Sequence, residues 1–151
     1  MQKLGQHDAA FNSTLAGAVE AVHNDKAAAA AGYVTNLAQA RGGYLKELAA
    51  ARRDHAVDAA LAEWQFDLDG DSAARDQALE AAAATHSAAV QRAEKKYSVS
   101  EAVESGKRAI GVAAAEKTYL QRAGAGYKTW LQGRSADIRA YRVNLAGAGQ
   151  T

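Results

Sequence analysis

His55 and His86, with Asp54 and Asp58 beside the first, are the side chains of this chain best suited to metal binding or to a pH switch. A second candidate is the run Asp67-Leu68-Asp69-Gly70-Asp71-Ser72, which partly matches a calcium loop. With Gln65 at the first loop position, Asp67 and Asp69 fall at the third and fifth, Gly70 at the sixth and Asp76 at the twelfth. Such a loop wants Asp at its first position and a bidentate Glu at its twelfth, so Gln65 and Asp76 fit poorly. The candidate metal-ligating residues are therefore Asp67, Asp69, Asp76, His55 and His86. The plainer expectation is two imidazoles filling ring positions and a polar turn, with no metal and no cofactor. His23-Asn24-Asp25 reads as solvated surface. The chain contains no HExxH, no phosphate-binding glycine loop and no Ser/His/Asp arrangement, and without cysteine it has no thiolate chemistry. The expectation is that it is not an enzyme.

Both histidines are rungs of a longer ladder, and the ladder defines the elements that carry them. Phe11, Val22, Tyr33, Tyr44, His55 and Phe66 lie eleven residues apart. After one shift of phase the series resumes as Arg75, His86, Tyr97, Arg108, Tyr119, Trp130 and Tyr141. Eleven residues make three turns of helix at about 3.67 residues per turn, so each series marks one face of a long helix. Leu or Val often stands four residues after a rung. Ala stands seven after every rung of the first half: Ala18, Ala29, Ala40, Ala51, Ala62 and Ala73. Large, medium and small at these offsets form a hendecad seam. Its polar departures are Glu101, Glu104, Arg108, Arg134 and Asp137.

The phase breaks at the aspartate run, where Gly70 can take positive φ and Asp71 or Ser72 can cap a following helix. The sequence therefore predicts an all-α fold and a single helical unit over 1–151. Helix 1 covers about 8–66, a turn 67–71, helix 2 about 72–145 and a flexible tail 146–151. Each helix would be roughly 90–110 Å long. Folded into an antiparallel hairpin, facing residues sum to 141. Phe66 then meets Arg75, His55 meets His86, Tyr44 meets Tyr97, and Phe11 meets Trp130. Tyr33 would face Arg108 in a cation–π contact. Smaller positions pair large with small, as in Ala62–Leu79, Leu48–Ala93 and Leu15–Gly126. Gly42-Gly43 and a capping box from Ser98 to Glu101 are possible helix breaks, so a three- or four-helix bundle is the alternative fold.

Composition agrees with this architecture. Proline is absent, and 40 of the 151 residues are alanine, the strongest helix former. No apolar run is long enough for a transmembrane segment, and residues 1–8 lack the apolar stretch of a signal peptide. Apolar residues also lie off the seam, among them Leu45, Val57, Leu61, Trp64, Val103, Ile110 and Leu120. Two helices cannot cover them, which points to lateral self-association. Charge is uneven although the net is +1. Residues 54–80 hold eight acids, Asp67, Asp69 and Asp71 among them, against Arg75 alone. Residues 107–142 hold eight bases, including Arg134, Arg139 and Arg142, against two acids. Either the rods attract end to end, or the basic stretch with its interleaved Tyr and Trp docks a nucleic acid, an acidic polysaccharide or a lipid surface.

The motif Tyr-x3-Leu/Val-x2-Ala, repeated over about 11–148, resembles the Ala-rich hendecad repeats of long bacterial surface and fibrous proteins. The resemblance implies a structural role and an extracellular or cell-surface location. Late-embryogenesis proteins also use Ala-rich elevens but lack the ring ladder, and apolipoprotein repeats are punctuated by proline. The sequence thus leads to a self-associating structural subunit. Trp64, Leu61 and Ile110 would make its lateral contacts, and the aspartates and arginines above its end-to-end ones.

Overall fold

The computed structural model describes residues 2–148, with side chains from Gly5 onward. Two helices, α1 (Gln2–Asp69) and α2 (Ser72–Ala148), pack against each other as a hairpin, and no strand occurs among the described residues. Neither helix breaks at Gly42-Gly43 or at Ser98–Glu101, so the alternative bundle does not form. The serines of that stretch stay inside α2, and Ser100 Oγ donates back to the Lys96 carbonyl at 2.9 Å instead of capping a new helix. The elements are longer than the periodicity indicates. Helix α1 starts at Gln2 rather than 8 and ends at Asp69 rather than 66, and α2 ends at Ala148 rather than 145. Residues 146–148 of the expected tail are helical, and 149–151 lie outside the described residues. Helix propensity in a proline-free chain carries the helices past the seam that the rungs define.

The turn shrinks to Gly70 and Asp71. Gly70 takes φ of 71°, the left-handed cap conformation open to glycine, and its N–H donates to the Phe66 carbonyl at 2.7 Å. Asp71 Oδ1 accepts the N–H groups of Ala73 and Ala74 at 3.1 and 3.0 Å, which satisfies two orphan donors at the start of α2. Asp69 Oδ1 accepts the Asp71 N–H at 2.9 Å.

The buried core consists of Ala18, Ala51, Ala62, Ala82, Ala93 and Ala115. Each lies seven residues after a rung. Side chains that end at Cβ let two backbones approach closely, and the rungs fill the space above and below them. The packing divides into two units, Met1–Ala31 with Arg108–Thr151, and Gly32–Lys107. The second contains the turn and the rung pairs of residues 44–97, 55–86 and 66–75.

Candidate functional site: the seam and the outer faces

In the Gly32–Lys107 unit the rungs meet as their spacing predicts. Tyr44 and Tyr97 stack with centroids 5.3 Å apart, and Arg75 sits 4.5 Å from the ring centroid of Phe66. His55 and His86 lie 5.1 Å apart with planes tilted by 50°. Asp54 does not turn toward them; its carboxylate takes Arg53 Nη2 at 3.0 Å. Among the described residues no three metal-ligating side chains gather where an ion could be held. At the turn, Asp69 is used by the backbone, and Asp76 accepts Arg75 Nε and Nη2 at 3.0 and 2.8 Å. The same hydrogen bond raises the Arg75 pKa above its usual value.

The polar departures from the seam find polar partners. Glu104 accepts Lys107 Nζ at 2.6 Å and Asn36 Nδ2 at 2.7 Å. Those hydrogen bonds, Lys107 first, hold its carboxyl below the usual glutamate range. Lys96 bridges to Glu47 across the seam.

In the unit of residues 1–31 and 108–151, Asp137 pairs with His7 Nε2 at 3.0 Å. The indole N–H of Trp130 donates to Asp8 at 2.6 Å. Phe11 packs against Trp130 and Tyr127, with centroids 6.0 and 6.2 Å away, and Arg134 lies 5.2 Å from the Trp130 centroid. Lys26 pairs with Glu116 at 2.6 Å. The His7 pair was legible in principle, because His7 stands eleven residues before Ala18 and so belongs to the same seam row as Asp137.

Glycines divide by the side they face. A Cβ at Gly111 would stand 3.1 Å from the Ala29 Cβ, one at Gly126 3.0 Å from Thr14 Cγ2, and one at Gly133 2.5 Å from the His7 ring. These three permit close approach within the seam. Gly32, Gly42, Gly43, Gly106 and Gly124 have nothing within 4 Å of a built Cβ, so the hairpin itself gives no packing reason for them.

The outer surface is where the predicted assembly residues lie. Leu61, Trp64 and Ile110 are exposed, Trp64 by 58% and Ile110 by 72%. Asp67, Arg139 and Arg142 are also exposed. Asp69 and Asp71, exposed as well, are tied into the turn, and Arg134 is engaged with Trp130. Charge separates by unit. Residues 32–107 carry twelve acids and nine bases, a net of −3, whereas residues 1–31 and 108–151 carry five acids and nine bases, a net of +4. Among the described residues no helix is long and apolar enough to cross a membrane.

No family model, curated protein or solved structure matches the chain.

Proposed function

We propose that this chain is a non-catalytic structural subunit that assembles with copies of itself into a filament or sheath. The observation that carries this reading is the contrast between its core and its surface. Among the described residues only alanines are buried, while Trp64, Leu61, Leu68, Val99, Ile110 and Leu120 stand in solvent. Apolar side chains of that size, repeated along both helices, gain most by covering one another between molecules. Charge adds a second kind of contact, with the −3 unit of one copy attracting the +4 unit of another.

The alternative, docking of an anionic polymer on the basic half, has less support. Trp130 uses its ring on Phe11, Tyr127 and Arg134 and its N–H on Asp8, which leaves little of it for stacking. Electron microscopy of the purified protein, with sedimentation across concentration and salt, tests the assembly reading. Polymers that shorten as salt rises while keeping their width support both contact types. A chain that stays monomeric at high concentration yet binds DNA or heparin tightly refutes self-assembly and favours the alternative. Asp67→Lys is the reversal suited to probing the charge contact, because Asp69 and Asp71 are also needed by the turn.

A further inference from the structure

Val57, Leu61, Trp64 and Leu68 follow one another at steps of four, three and four residues. Counted from the rung His55, these steps land roughly 160–230° around α1, on the side away from the seam. All four are exposed. Val99, Val103 and Gly106 repeat the first three positions at the same offsets from the rung Tyr97, on the outer side of α2 in the same unit. The sequence continues the step to Ile110. The two series match position for position except at the third, where α1 has the largest residue, Trp64, and α2 the smallest, Gly106.

Gly106 lacks an explanation inside the hairpin. A Cβ there meets nothing within 4 Å, yet glycine in a helix interior costs about 1 kcal/mol relative to alanine. A surface approaching from outside supplies the missing reason. The outer sides also differ in net charge, slightly negative on α1 and positive on α2. Around the α1 series, within 53–68, the outward ionisable residues are Arg53, the Asp54 it pairs with, and Asp67. Around the α2 series, within 92–107, they are Arg92, Lys95, Lys96, which also reaches Glu47, and Lys107, which also reaches Glu104. All of these are exposed.

Building on the assembly reading above, we infer that the outer stripe of α1 in one copy docks on the outer stripe of α2 in a second copy, with Trp64 seated over Gly106. In that register the helices run in the same direction, and Val57 meets Val99 while Leu61 meets Val103. The contact joins two different faces that point away from each other in unit 32–107. Each copy therefore keeps one unfilled face of each kind after pairing, and the association continues instead of closing as a two-fold dimer.

Two variants test this at high salt, where exposed charges are screened. Trp64→Lys removes the α1 stripe and Val103→Lys the α2 stripe; both sites are exposed, and circular dichroism checks that helix content is kept. Each variant alone is expected to sediment as a monomer. Their equimolar mixture is expected to give a one-to-one dimer and nothing larger, because one intact face of each kind remains. Gly106→Leu, which fills the seat but favours helix, should also abolish growth. If Val103→Lys still self-pairs, or the mixture stays monomeric, the α1-to-α2 contact is wrong even where the wild type assembles by other faces. If the wild type itself is monomeric at every concentration, the assembly reading falls with it.

Discussion

The guanidinium of Arg75 lies over the ring of Phe66, 4.5 Å from the ring centroid. These are the last rung of α1 and the first of α2, and their contact spans the turn at Gly70. It sets where the second series of elevens begins. A double-mutant cycle with Phe66→Leu and Arg75→Gln should return a favourable coupling in thermal or urea unfolding. A coupling indistinguishable from zero would mean that the turn alone fixes the register.

Gly42 and Gly111 should respond oppositely to the same added methyl. At Gly42 the Cβ meets open space, so Gly42→Ala should stabilise by about 0.5–1 kcal/mol through helix propensity. At Gly111 it stands 3.1 Å from the Cβ of Ala29, which cannot rotate aside. Gly111→Ala should therefore lower the melting temperature, because the two backbones must separate. Matched protein concentrations are needed, since any self-association would shift apparent stability.

Glu104 makes a pH-dependent contribution of known sign. Its carboxyl is held below the usual glutamate value by Lys107 and Asn36. The resulting stability is fully present above the unfolded-state value of about 4.3 and is lost as pH falls through the depressed folded value. Glu104→Gln should melt below the wild type at pH 7, and the difference should shrink as the pH falls below about 4.3. A gap independent of pH would assign the effect to packing instead.

Zinc addresses the paired histidines. Two imidazoles 5.1 Å apart, without a third ligand gathered beside them, do not make a closed tetrahedral set. Millimolar zinc should leave the melting temperature unchanged. A saturable rise that disappears in His55→Ala would establish a metal site there.

The hairpin was legible because one number governs it. Phe66–Arg75, His55–His86, Tyr44–Tyr97 and Phe11–Trp130 all obey the sum of 141, and every buried residue among those described is an alanine seven after a rung. Helix ends were less legible, because alanine-rich sequence stays helical after the packing signal stops. The polar contacts of Glu104 and Asp137 read as interruptions of the seam. Their partners, Asn36 and His7, compensate from the facing helix; His7 could have been found by extending the seam row one step back from Ala18, whereas Asn36 lies on no row that the ladder marks. The outer stripes were visible only as scattered apolar residues. Their order emerges once the rungs fix which direction is outward.

The turn at Gly70 has a kinetic consequence. Once Phe66 and Arg75 touch, each further rung pair in unit 32–107 needs only the next three turns of helix on either side, and loop-closure entropy grows slowly with length. The segment should zip outward from the turn, gaining contacts of increasing sequence separation without one large entropic step. Native-state hydrogen exchange would read this as protection that declines in order from the His55–His86 level to the Tyr44–Tyr97 level. A hairpin built this way tolerates damage far from its turn better than damage beside it.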